Sequence, residues 1–305
     1  MRKLQAAALL SVLTATLGLS ACGSNDEGDT LNDTNATQIG AALAAQLGST
    51  PASFTATGVS NGTVGGGFFG ARAMATARWA QGALPNLTFQ APCPSVDDLT
   101  DADGDGVLDD ATFTFTQADC TSGAFYTTGA IHLVDPSSVA VGYSGTFLNF
   151  LVHFTGSGND FAQIKLNGSH AVLGTPSSGT LDENITTTVD ASDNGQTLHG
   201  SLSNNWSIQF DVAQGDAIEM DAPLPDGDFD AQGSFVYNVN GQRFSLSIRT
   251  ESALVYNSTC AGAPNPFDSG EVRAHLGGPN GNVYVKITYN GCGVEPTVEL
   301  FGRNS

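Results

Sequence analysis

From Thr112 onward this chain reads as one β-strand after another. Thr112-Phe113-Thr114-Phe115-Thr116 alternates strictly, and Ile131–Val134 and Tyr143–Phe154 follow. A period of two puts successive side chains on opposite faces of an extended chain, so each stretch offers one apolar face for burial. Ala162, Ile164, Leu166, Gly168, His170 and Val172 keep one parity across Asn167-Gly168. That persistence predicts a continuous strand there rather than a hairpin. Trp206, Ile208, Phe210 and Val212 form another alternating run.

The sharpest register constraint is Asn240-Gly241, inside Ser234–Thr250. A two-residue turn there pairs Val239 with Gln242, Tyr237 with Phe244 and Phe235 with Leu246. Most aromatic and aliphatic residues then share one face, and Asn238 and Arg243 share the other, so turn chemistry and face pattern agree. A second hairpin joins Glu271–Leu276 to Val283–Tyr289 through Gly-Gly-Pro-Asn-Gly, and Thr297–Phe301 is expected to close the sheet. The chain has 37 glycines and 17 phenylalanines among abundant threonine, a composition that suits pleated surfaces and turns. The expected class is mainly β: a large antiparallel sandwich, barrel or curved half-barrel, with one short N-terminal helix. That helix is expected over Ile39–Leu47, with Thr37 as N-cap and Gly48 as its stop. Residues 61–82 hold a glycine run and then an Ala-rich stretch, Ala-Arg-Ala-Met-Ala-Thr-Ala-Arg-Trp-Ala, that fits helix or strand.

After Met1 the chain carries Arg2 and Lys3, continues with an apolar run from Leu4 to about Gly18, and reaches Leu19-Ser20-Ala21-Cys22. The run is too short and too rich in small residues to span a membrane in a mature protein. This register resembles the lipobox of bacterial outer-membrane-type lipoproteins. The resemblance implies cleavage before Cys22 and acylation of its sulfur, which makes Cys22 a lipid anchor. Buried methylenes contribute ~0.8 kcal/mol each, so the acyl chains would hold the protein at a bilayer. Gly23 stands where an Asp would, by the same resemblance, retain the protein at the inner membrane. The expected location is therefore the bacterial cell envelope, at the outer membrane, on its periplasmic or its surface side.

The segments expected from this reading are a signal peptide at 1–21 and an acylated polar tether at 22–37. An N-terminal segment at 38–126 and an antiparallel β body at 127–305 follow, and the last two are compatible with one domain.

Net charge is −20, and loss of Arg2 and Lys3 with the leader makes it −22. A surface this acidic repels phosphate backbones and anionic headgroups. Nucleic acid is thereby set aside as a partner, and membrane contact is left to the Cys22 anchor. Cys93, Cys120, Cys260 and Cys292 remain, an even number outside the cytoplasm. Three pairings are open. The sequential one, Cys93–Cys120 with Cys260–Cys292, is favoured because each pair brackets one local unit, and each would contribute ~3 kcal/mol. No Cys-x-x-Cys occurs and the five histidines stand singly, so a zinc site finds no pattern.

One motif carries chemistry. Asp101, Asp103, Asp105 and Asp109 lie in Asp-Ala-Asp-Gly-Asp-Gly-Val-Leu-Asp-Asp. This spacing resembles the calcium loops of EF-hands, dockerins and thrombospondin type 3 repeats. A hard cation takes about six to eight oxygens at short range. The resemblance assigns ligand roles to Asp101, Asp103 and Asp105, to the Val107 carbonyl, and to Asp109 directly or through water, with Gly106 at the sharp turn. Thr112 stands where an EF-hand has its bidentate Glu, and no helices flank the loop. The remaining ligand is then expected from Asp97, Asp98, Asp110 or water. The stretch Cys93–Cys120 as a whole resembles a segment that recurs in bacterial lipoproteins, a likeness that carries no activity. The cluster Asp226, Asp228 and Asp230 lacks the glycine pattern and reads as a turn.

Enzyme signatures are absent. Gly142-Tyr143-Ser144-Gly145-Thr146 fails the nucleophile-elbow pattern at its last position, and no His-Glu-x-x-His or phosphate loop occurs. The expected function is a non-enzymatic, membrane-anchored binding or structural module stabilised by calcium, whose surface meets a glycan or an envelope protein. Two alternatives stand beside it. One is a carrier of lipid or another apolar ligand, with Leu148, Phe150, Trp206 and Phe210 lining a curved sheet. The other is a hydrolase with an unrecognised carboxylate pair.

Overall fold

The computed structural model describes residues 31–54 and 93–302, apart from residues 106, 124, 136–140, 157, 159, 194, 221, 240, 262 and 264. The leader with Cys22, the stretch 61–82, Gly106 and Asn240 lie outside the described residues.

Among the described residues, thirteen strands form one antiparallel sheet. They are β1 (Ser95–Val96), β2 (Asp110–Phe115), β3 (Thr121–Ser122), β4 (Phe125–Val134), β5 (Val141–Thr155), β6 (Phe161–Thr175) and β7 (Ser178–Asp193), then β8 (Gln196–Val212), β9 (Gly227–Val239), β10 (Gln242–Tyr256), β11 (Phe267–Leu276), β12 (Tyr284–Tyr289) and β13 (Thr297–Phe301). Twelve lie on one path in which each is bonded to the next, and β3 pairs only with β4. The class is the mainly β, antiparallel one expected from alternation. The sheet stays open, because β1 and β13 stand at its two ends among the described residues. No helix among those residues is long and apolar enough to cross a membrane. The sheet runs unbroken across residue 126, since β2 is bonded to β4 and β4 to β5.

Alternation decides which face is buried. In β7 and β8, Leu181, Ile185, Val189, Leu202, Trp206, Ile208 and Phe210 point inward and are almost fully buried. The Asn240-Gly241 hairpin has the expected register: Gln242 faces Val239, Phe244 faces Tyr237, Leu246 faces Phe235 and Arg243 faces Asn238. Phe161–Thr175 is continuous through Asn167-Gly168, as the persistent parity requires.

A helix, α1 (Asp33–Ser49), covers part of this inner face. Ile39, Ala42, Leu43 and Leu47 turn toward the sheet and are buried. Gly40 lies so close to Val298 of β13 that a Cβ at this position would collide with it. After a 3-10 turn at Thr50–Ser53, Phe54 places its ring 5.6 Å from Phe210 and 5.4 Å from Phe229. Burying such a ring contributes about 2–3 kcal/mol. The Tyr143 hydroxyl donates to the Ser53 carbonyl at 2.6 Å, tying this segment to β5.

The helix is longer than its apolar spacing predicts. Asn32, not Thr37, is the N-cap: its side chain accepts the Asn35 N–H at 3.0 Å, and Asn35 Oδ1 accepts the Asn32 N–H at 2.7 Å. Thr37 sits within the helix and donates to the Asp33 carbonyl at 2.8 Å. Gly48 does not stop the helix, which ends where Pro51 lacks an N–H. Leu31 is buried, so the first turn is docked rather than part of a free tether.

A bulge in β5 reverses its parity. Phe147 and Phe150 are both buried, while Leu148 is 47% exposed and Asn149 has φ 53°. The register against β6 shifts between these two phenylalanines, and the Asn149 N–H donates to Asn167 Oδ1 at 2.9 Å. Leu148 therefore does not line the face occupied by Phe150, Trp206 and Phe210, which corrects its place in that apolar set.

Cys93 is bonded to Cys120 and Cys260 to Cys292, with Cα–Cα separations of 5.1 and 6.0 Å. The sequential pairing holds because each pair closes a segment around one edge of the sheet.

Candidate metal centre

Between β1 and β2 the chain folds back on itself. The Asp109 N–H donates to the Thr100 carbonyl at 2.8 Å, and the Ala102 N–H to Asp109 Oδ1 at 3.0 Å. Inside this ring, Asp101 Oδ1 accepts the Gly104 N–H and Asp105 Oδ1 the Val107 N–H, both at 2.8 Å. These are the local turns that short acidic side chains make with the backbone two or three residues on. They aim the side chains of alternate residues at one point. Asp101, Asp103 and Asp105 each bring a carboxylate oxygen within 4.8 Å of the others. Val107 is fully buried and pins the loop to the core.

Asp109, the fourth aspartate of the motif, and the three residues expected to supply a further ligand all stand outside this group. Asp97 Oδ1 accepts the Thr112 N–H at 2.6 Å, which holds its carboxyl below the usual range. Asp98 is held down by the Thr100 hydroxyl at 2.6 Å and its N–H at 2.9 Å. Asp110, exposed on the strand, meets His132 Nε2 at 2.7 Å.

A residue outside the sequence reading also lies beside the loop, though not within the converging group. Asp135 follows β4 directly, and its N–H donates to the Asp109 carbonyl at 2.9 Å. The ladder that sets Asp110 opposite Val134 thus sets Asp109 opposite Asp135. Asp135 is 5% exposed, and both its carboxylate oxygens are buried without a hydrogen-bond partner. Burial first, and then the charges of Asp105, Asp103, Asp109 and Asp101, push its carboxyl from 3.8 up to about 7. In the sequence, Val134-Asp135-Pro136 looks like an ordinary strand end. Only the pairing of β2 with β4 brings Asp135 to the loop.

Other polar groups have structural surroundings. Glu183 Oε2 accepts the Trp206 indole N–H at 2.5 Å and an Asn204 amide N–H at 2.9 Å, all within the core. His199 Nδ1 lies 2.6 Å from Asp190 on the surface. Asp226 Oδ1 accepts the Ser258 N–H at 2.7 Å, and Asp228 and Asp230 point to solvent from β9. Among the described residues, the oxygen-only donor set at 101–105 is the group with convergent ligand atoms. Such a set matches hard divalent cations and offers no nitrogen or sulfur for zinc.

No protein family, no curated protein and no solved structure matches this chain.

Proposed function

We propose that this chain is a non-enzymatic structural or binding module of the bacterial cell envelope, held at the outer membrane by an acylated Cys22 and stabilised by calcium at residues 101–109. The observation that carries the reading is the convergence of Asp101, Asp103 and Asp105 within a loop cinched by Cys93–Cys120. Three like charges at this spacing repel, and a cation converts the repulsion into a cross-link.

The carrier alternative draws little support from the inner face. Phe54, Phe210, Phe229, Phe235, Phe244 and Phe267 are all fully buried there, packed against one another and their neighbours. Elsewhere on the sheet an open groove of about 640 Å³ is lined mainly by polar residues, among them Ser144, Ser169, Asp182 and Asn184, with Glu183 and Trp206 also bordering it. Hydroxyls, amides and carboxylates of this kind suit a glycan or a polar protein surface better than a lipid.

The anchor is tested by expressing the chain with labelled palmitate and fractionating the cells. Label and protein should both appear in the membrane fraction, and Cys22→Ser should lose both. Unchanged membrane retention of the variant would remove the lipid-anchor reading.

A further inference from the structure

We infer that Asp135 is the ligand that completes the cation site, supplied from the end of β4 rather than from the loop itself. The inference rests on the calcium reading above and names the residue that reading lacks.

The loop alone falls short. Asp101, Asp103 and Asp105 converge, and Asp109 and the Val107 carbonyl, which the calcium-loop resemblance assigns, would bring the count to five groups, whereas calcium takes about six to eight oxygens. In an EF-hand-like loop the shortfall is met by a bidentate carboxylate at the twelfth position, here Thr112. That residue is committed to the sheet: it faces His132 across the ladder, and its N–H donates to Asp97. Asp97, Asp98 and Asp110 are exposed, and their carboxylates are turned to Thr112, Thr100 and His132.

Asp135 has the opposite character. It is buried, its two oxygens accept nothing, and its backbone is bonded to Asp109, the last acidic residue of the loop. An isolated buried carboxylate is strongly disfavoured, and four more carboxylates nearby raise the penalty. A divalent cation between Asp135 and the loop reverses the sign of that interaction. Its two oxygens also restore the bidentate contribution that Thr112 cannot make. The consequence is topological. Calcium held this way ties the loop before β2 to the far end of β4, across the rung where Asp109 meets Asp135.

Isothermal titration of calcium into the full-length protein in detergent tests this, using wild type, Asp135→Asn and Asp110→Asn. Asp135→Asn should weaken binding by about tenfold or more, with Asp110→Asn within about threefold of wild type. Thermal melts in chelator serve as the folding control, and there Asp135→Asn should melt at or above wild type, since it removes a buried charge. Hydrogen exchange of the wild type provides a second readout. Added calcium should slow exchange both in 101–109 and in 132–135. Wild-type affinity in Asp135→Asn, or protection confined to the loop, overturns the role of Asp135 and leaves the calcium reading standing. No heat of binding in wild type removes the calcium reading and this inference together.

Discussion

The backbone N–H of Asp135 donates to the carbonyl of Asp109 at 2.9 Å, joining two carboxylate-bearing residues that are 26 positions apart in the chain. One belongs to the acidic loop and the other to the end of β4. Their side chains experience the same crowd of negative charge, but only Asp135 does so fully buried.

That difference makes metal-free stability depend on pH. The Asp135 carboxyl titrates at about 7 when folded, against 3.8 in an ordinary setting. Between these values the folded state keeps a proton that the unfolded state has lost, so stability falls as pH rises. The contribution is full below about pH 4 and is gone above about pH 7. Urea unfolding in chelator across this window should show the decline, and Asp135→Asn should flatten it. Parallel profiles for the two proteins would contradict the assignment.

Calcium should act in the other direction at neutral pH. A ligand that binds only the folded chain stabilises it by mass action, by about 2.7 kcal/mol at a hundredfold excess over Kd. The melting temperature should rise with calcium in wild type and stay fixed in the double variant Asp103→Ala/Asp105→Ala. A shift of equal size in the variant would place the bound ion elsewhere.

The bulge in β5 predicts unequal consequences for two nearby apolar residues. Leu148→Ser should change stability by less than about 0.5 kcal/mol, because the side chain already faces solvent. Phe150→Ala should cost about 3–5 kcal/mol, because its ring packs 5.0 Å from that of Phe115 inside the core. Chemical denaturation of both variants checks the reversal, and equal losses would place Leu148 in the core.

The core carboxylate predicts a further asymmetry. Asn204→Ala removes one of the two donors seen on Glu183 Oε2, and the carboxylate stays buried. The loss should be about 1–3 kcal/mol, read as a lower urea midpoint at unchanged slope. An unshifted midpoint would mean that solvent reaches Glu183.

Much of the fold was legible because it is local. The Asn240-Gly241 hairpin carries its register in its turn and its face pattern, and both agree with the pairing of Tyr237 and Phe244. Parity across Asn167-Gly168 told strand from turn in β6 for the same reason. The bulge at Leu148-Asn149 was not legible, since a single inserted residue leaves the composition of a strand unchanged. The start of α1 was missed because its cap is an Asn32–Asn35 pair within a polar stretch that resembles linker. At the candidate site, Asp101, Asp103 and Asp105 were readable from spacing alone. Asp135 was not, because its position depends on which strand β2 chooses as a neighbour.

From β4 to β13 every strand is bonded to the one that precedes it in the chain, whereas α1 rests on β12 and β13, the last strands made. The sheet can therefore grow one strand at a time in the order of synthesis, without threading or waiting for a distant partner. The helix cannot follow that order. It emerges first and finds the surface opposite Gly40 only when Val298 arrives. Assembly thus closes by bringing the two ends of the described chain together, and a chain cut short before Thr297 would leave the apolar side of α1 without part of its seat.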